Sequence, residues 1–232
     1  MVFFMKYRNE WKFLCNNIDT NIINSKLKAI LKYDEHCNDN HYYIVHSLYF
    51  DDYYNDCMFE NDAGINARHK WRIRYYNDDI SHITLERKEK LNGMCRKKSC
   101  FISEDEYNNI INGDYNKIIY KTDKEVLKMF CIEAMTKLYK PKVIIDYERV
   151  ALNEPISNVR ITFDQNISAS KDISKFLNNN YVKVPILNTN NNIVEIKFDD
   201  ILPGYINKVM YISNMQQITF SKYYISRKRL KD

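Results

Sequence analysis

The sequence predicts an α+β chain framed by a closed eight-stranded antiparallel β-barrel with peripheral helices. Three observations predict it. Segments of alternating polar and apolar residues recur about eight times along the chain. Turn signals such as NDD and LNG join several of them. Helical periodicity appears only between groups of strands, and eight antiparallel strands are enough to close a sheet on itself.

The first strand covers 3–14 and contains YRNEWKF, from Tyr7 to Phe13. A helix follows from about Asn21 to Lys32, where Ile22, Ile23, Leu27, Ile30 and Leu31 keep helical spacing behind an Asp19 or Thr20 cap. HYYIVHSLYFDD (41–52) is the next strand, and YYNDCMFEND is a short helix ending near Gly64. Strands at 66–76, 80–90 and 94–102 come next. Two helices then open on capping-box patterns, SEDE at Ser103–Glu106 and TDKE at Thr122–Glu125, the second reaching about Leu138. Strands at 140–152, 159–167 and 192–198 follow, the last two separated by an irregular Asn-rich excursion around a short extended piece. The C-terminus reads as helix from Pro203 to about Ile212 and again from Ser221. No repeat, linker or composition break divides the chain, so 1–232 is expected to form one domain.

Composition narrows the function classes. The chain is 45% hydrophobic and 28% charged, enough to build a sizeable core. Nineteen tyrosines against four glycines favour β-structure and argue against a Gly-rich phosphate loop. The six cysteines include no C-x-x-C pair and read as reduced thiols. No apolar run is long enough for a signal peptide or a membrane span, so a cytoplasmic protein with no transmembrane segment is expected. The five histidines lack metal-ligand spacing, and H-E-x-x-H, P-loop, Rossmann and G-x-S-x-G patterns are absent. Nucleic acid is not expected as a partner. The bases alternate with apolar residues along strands, and the aromatic motifs of an RNA-recognition sheet are missing. The terminal SRKRLKD reads as a solvated helix end or as a guide for an anionic product.

Residues i and i+2 share a face of a strand. That rule collects Arg8, Glu10 and Lys12 from the first strand, Arg72 and Arg74 from WRIRYY, and Glu86 and Lys88 from LERKEK. It adds Tyr147 and Arg149 from DYERV, Arg160, Thr162 and Asp164 from VRITFD, and Glu195 and Lys197 from VEIKF. Eight bases and three glutamates on this face give an excess equal to the whole net charge of +5. A confined basic surface suits phosphate groups, and a few carboxylates among the bases suit a divalent metal that bridges phosphate oxygens. The same alternation also fits a half-exposed sheet with one solvated face.

These segments carry a resemblance. YRNEWKF, VHSLYFDD, RHKWRIRYY, ITLERK, YERVAL, VRITFD, VEIKF and TFSKYY occur in the order and spacing of the vacuolar transporter chaperone (VTC) domain, across roughly 5–225. That domain belongs to the triphosphate tunnel metalloenzymes. The resemblance implies a basic tunnel that holds a triphosphate, with polyphosphate made from the terminal phosphate of ATP and a divalent metal, Mn2+ or Mg2+. It implies phosphate contacts from Lys12, Arg72, Arg74, Lys88, Arg149, Arg160 and Lys222, with hydrogen bonds from Tyr147 and Ser221. Lys197 joins this set by its place on the charged face. Glu195 is the implied metal carboxylate, and Glu10, Glu86 and Arg8 are auxiliary candidates. The E-x-E-x-K first strand of the CYTH branch is not kept, because Arg8 stands at its first acid. Just ahead of the FSK segment, where the family's eukaryotic polymerase carries a lysine, this chain has Gln217 and Thr219. The partners implied are ATP or another nucleoside triphosphate and polyphosphate; protein partners are not indicated. The alternatives are a metal-dependent inorganic or nucleoside triphosphatase and a non-catalytic polyphosphate or nucleotide sensor.

Overall fold

The computed structural model describes residues 6–210 and 215–231. The expected start of the first strand and the expected helix end at Ile212 lie outside them. The chain begins with β1 (Asn9–Asn16), α1 (Asn17–Leu27), β2 (Lys32–Tyr33), β3 (Tyr43–Asp51) and α2 (Asp56–Asp62). A meander of β4 (Arg68–Tyr76), β5 (Asp79–Leu91) and β6 (Met94–Ile102) precedes α3 (Glu104–Asn112), α4 (Tyr115–Ile119) and α5 (Glu125–Lys137). Two long strands follow, β7 (Lys140–Glu154) and β8 (Val159–Ser170), then a 3-10 turn at Ile173–Asn178 and β9 (Val184–Pro185). β10 (Asn191–Phe198), α6 (Gly204–Met210), β11 (Gln216–Gln217) and α7 (Lys222–Arg229) complete it.

Local chemistry sets several of these boundaries. Ser103 forms the full capping box with Glu106 that SEDE predicts. The TDKE box does not form: Thr122 Oγ1 accepts from the Lys124 amide, and α5 starts after Lys124. α1 starts four residues earlier than expected, since Asn16 rather than Asp19 or Thr20 accepts the capping bond. Six of the nine non-glycine residues with positive φ among the described residues are asparagines, at 55, 77, 92, 158, 166 and 179. Asn tolerates the left-handed region, so it takes turn positions that glycine usually fills. That accounts for a β-rich chain with so few glycines.

The expectation of a closed eight-stranded barrel is corrected. The sheet has eleven strands, all paired antiparallel, in the order β11-β1-β10-β8-β7-β3-β4-β5-β6, with β2 on β7 and β9 on β8. It is not closed. Eight strands of at least eight residues form the wall, and β2, β9 and β11 are two-residue additions. Among the described residues, the two ends of the wall are bridged at Arg8 and Cys95, which exchange backbone hydrogen bonds of 2.9 and 2.8 Å. On the side of β1 away from β10, Gln216 and Gln217 pair with Leu14 and Phe13. Alternation within a strand says nothing about which partner takes its edge.

The apolar faces turn outward. Leu48, Phe50, Trp71, Ile73, Tyr75 and Leu85 pack beneath Leu127 and Phe130 of α5, Ile110 of α3 and Phe176 of the 3-10 turn. On the other side Ile161, Phe163, Val194 and Ile196 pack with Ile23 and Leu27 of α1 and Ile206 and Met210 of α6. The alternate residues of the same strands therefore face one another across the curved sheet.

Phe130 is fully buried between the rings of Phe50 and Trp71, at 5.1 and 5.2 Å. Phe130→Ala is expected to destabilise the fold by about 3–5 kcal/mol in urea unfolding. Ile156→Ala, at a side chain 93% exposed, is expected to stay within about 0.5 kcal/mol of the parent.

Candidate functional site

Strand register brings the inward charges together. Arg72 lies opposite Glu86, Arg149 opposite Asp164, and Lys12 opposite Glu195. Four carboxylates organise the interior. Glu86, 1% exposed, accepts from Arg72 Nε at 2.6 Å and Lys97 Nζ at 2.7 Å, with Arg74 Nη1 at 3.6 Å. Asp164 takes Arg149 through two bonds of 2.6 and 2.8 Å and Lys222 at 2.5 Å. Glu10 meets Lys88 at 2.8 Å and Lys12 at 3.1 Å, while Glu195 meets Lys197 at 2.6 Å and Lys12 at 3.6 Å. Neutral donors and acceptors fill the gaps. Arg72 donates to Tyr49 Oη at 2.8 Å, and Arg74 to Ser47 Oγ at 3.3 Å and Tyr147 Oη at 3.2 Å. The Tyr147 ring also lies under the Arg149 and Lys222 cations.

Burial alone would neutralise these groups, and their neighbours reverse that. Burial raises the Glu86 carboxyl, but Arg72, Arg74 and Lys97 outweigh it and hold it well below the usual range. Glu195 is likewise held well below, by Lys197, Lys12 and Lys88 against burial. Asp164 is held at about 2, where Arg149 and Lys222 overcome burial. Lys197 moves the other way: burial outweighs Glu195 and Glu10 and lowers it. Burial also works to raise the Tyr49 phenol, yet Arg72 and Arg74 bring it down to about 8.

Most residues singled out in the sequence meet here: Glu10, Lys12, Arg72, Arg74, Glu86, Lys88, Tyr147, Arg149, Glu195, Lys197 and Lys222. Ser221 caps α7 and accepts from Lys70 at 3.2 Å. Arg160 stands apart, on Asp34 at 2.5 Å and Tyr43 Oη at 3.0 Å. Arg8 is not part of the group. Its guanidinium turns to Asp199 at 2.8 Å and to the Asn158 carbonyl, beside the seam. The terminal basic run is not simply solvated either, because Arg227 is buried against Tyr223 and Asn55. Sequence reasoning placed Asp164 on the right face without giving it a role. It missed Lys97, hidden in the unbroken basic run RKK, and the polar tips of Ser47 and Tyr49.

Glu10 and Glu195 share the Lys12 ammonium, so two oxygen donors lie on either side of one cation. That donor set fits a hard divalent ion that completes its shell with phosphate oxygens and water. It does not make a cage that holds a metal unaided. No group of three metal-ligating side chains occurs among the described residues.

Asp164 yields a prediction. Its folded pKa lies below the unfolded value of about 3.9, so its contribution is present above about pH 4 and lost as pH falls towards 2. Asp164→Asn leaves Arg149 and Lys222 buried without their carboxylate and is expected to cost about 3–5 kcal/mol at pH 7. Its unfolding free energy is also expected to fall less steeply than the parent's between about pH 4 and 2, as read by denaturant titration at each pH.

Comparison of structures places a Bacillus halodurans protein, described as a candidate adenylate cyclase, on this chain with a TM-score of 0.55. The match covers 98% of each chain at 12% identity, which speaks for the fold alone. A Pyrococcus horikoshii protein aligns over 97% of this chain and 100% of its own at 13% identity, with a TM-score of 0.46 that adds no further argument. No curated protein sequence matches significantly. No helix among the described residues is long and apolar enough to cross a membrane. The family profile of the VTC domain does match, over residues 7–231. The matched span includes every strand of the wall and every charged residue of its interior, and the chain belongs to the VTC domain family.

Proposed function

We propose that this chain is a polyphosphate polymerase that transfers the γ-phosphate of ATP to a growing polyphosphate chain. It would act as one domain in the cytoplasm, with Mn2+ or Mg2+. One observation carries the reading: bases outnumber carboxylates inside the wall, and each carboxylate holds two or three of them at fixed positions. Arg72, Arg74, Lys88, Arg149 and Lys222 are the groups offered to the phosphates, with Lys12, Lys197 and Arg160 around them. Glu195, with Glu10 beside it, would hold the divalent ion, which supplies neutralisation of phosphate charge. The chain's own residues then do three things. The arginines orient the triphosphate for in-line attack, the Tyr147 and Ser221 hydroxyls complete its hydrogen bonds, and the ring of cations stabilises a loose phosphoryl-transfer transition state. No protein nucleophile is needed.

A specific observation favours a phosphate acceptor over water. Hydrolysis calls for a group that positions or deprotonates water, commonly a carboxylate. Glu10, Glu86, Asp164 and Glu195 are all held below the normal range by their lysine and arginine partners, so each is a weak base. Arg8, which replaces the first acid of the E-x-E-x-K pattern, points away at Asp199. The excess of bases attracts a second phosphate chain instead.

Incubating the pure protein with ATP and Mn2+ tests this directly. A ladder of long polyphosphate on a gel is expected, with primers shortening any lag. Free phosphate rising one-for-one with ATP loss, with primers only inhibiting, would make the protein a triphosphatase; binding without turnover would make it a sensor. Glu195→Gln keeps the side-chain shape and is expected to abolish metal-dependent turnover while metal-free triphosphate binding stays equal or tightens. Normal Mn2+-dependent turnover in that variant would take Glu195 out of the metal role.

A further inference from the structure

The β4–β5 ribbon presents its inward residues as register pairs: Arg74 with Thr84, Arg72 with Glu86, Lys70 with Lys88, and Arg68 with Lys90. Along this row the counter-charge runs out. Arg74 and Arg72 share Glu86, and Lys88 holds Glu10. Among the described residues, no carboxylate lies within 4.0 Å of the Lys70, Arg68 or Lys90 cations. Lys70 donates to two neutral oxygens, Asn61 Oδ1 and Ser221 Oγ, each at 3.2 Å. Arg68 donates to the Ile65 carbonyl. The loops beside them are fixed by Asn66 and Asn92, which bond each other at 2.5 and 2.7 Å.

This end of the row is under electrostatic load. Burial pulls the Lys70 ammonium down to about 8, with Arg68 and Lys88 adding to it. Lys90 is lowered as well, by burial and then by Arg68. An arriving anion relieves that repulsion and meets donors already in place. The row from Arg68 to Arg74 spans about 20 Å at the rise of a strand. A triphosphate seated on Arg72 and Arg74 therefore leaves the outer cations without an anion.

We propose that Arg68, Lys70 and Lys90 form a second anion subsite, which takes the phosphate groups of a phosphoanhydride chain longer than three units. The subsite rests on the reading of the interior as a polyphosphate site, and it makes chain length a determinant of affinity.

The test is equilibrium binding of tripolyphosphate and of long-chain inorganic polyphosphate, without metal, at about 0.15 M ionic strength, where exposed charges beyond about 8 Å are screened. The parent is expected to bind the long chain more tightly than tripolyphosphate. Lys70→Met with Lys90→Met is expected to weaken the long chain about tenfold or more. The same pair should leave tripolyphosphate within about threefold, because its main contacts stay. Arg74→Ala should weaken both ligands. Lys70→Arg, which keeps the charge, should retain long-chain affinity and keeps the test open if the double variant does not fold. As a control for non-specific attraction, Lys121→Met with Lys128→Met, both exposed, should change neither. Equal loss of both ligands in the double variant, or equal affinity of both for the parent, overturns the second subsite and leaves the polymerase reading standing. A parent that binds neither ligand overturns both.

Discussion

Everything in this molecule follows from putting many like charges inside a curved sheet. A buried cation without a partner is costly, and a set of them repel one another. Four carboxylates meet that constraint by sharing. Glu86 serves Arg72, Arg74 and Lys97; Asp164 serves Arg149 and Lys222; Glu10 and Glu195 between them serve Lys12, Lys88 and Lys197. The sharing is incomplete by design of numbers, since bases remain in excess, and that excess is what a phosphate ligand would complete. The carboxylates thus keep the cations ordered before any ligand arrives. Preorganised charge of this kind stabilises a transition state without having to reorient at the moment of reaction.

The same arrangement explains why the stabilising hydrophobic contacts lie on the outside of the wall. With the inner face polar, the strands find apolar partners only on their outer faces. α3 and α5 cover β3, β4 and β5, while α1 and α6 cover β8 and β10. The helices are therefore the other half of two cores. Trp71 shows the division within one strand: its indole is buried outside against Phe130, while Arg72 next to it reaches Glu86 inside.

Much of this was legible in the sequence, because alternation with period two shows directly in strings such as WRIRYY and VEIKF. Tyr147, Arg149 and Glu195 needed no structure to be placed on one charged face, though alternation alone leaves open whether that face is solvated or turned inward. Pairing between distant strands was less visible. Arg8 obeys the alternation and still leaves the group, since it lies just before β1 and finds Asp199 within reach. Lys97 sits in a run of consecutive bases where period two gives no contrast. The pairing of Gln216 and Gln217 with β1 had no local signature at all, because it joins segments far apart in the chain.

The outward placement of both hydrophobic clusters has an evolutionary consequence. A conventional core ties a residue's packing role to its neighbours on all sides, so changing function there disturbs folding. Here the lining and the scaffold are separate sets of positions on the same strands. Ser47, Thr84, Thr162 and their charged neighbours can be exchanged while Leu48, Leu85 and Phe163 stay as they are. Provided charge balance is kept, such a shell can be refitted for a different anion without being rebuilt.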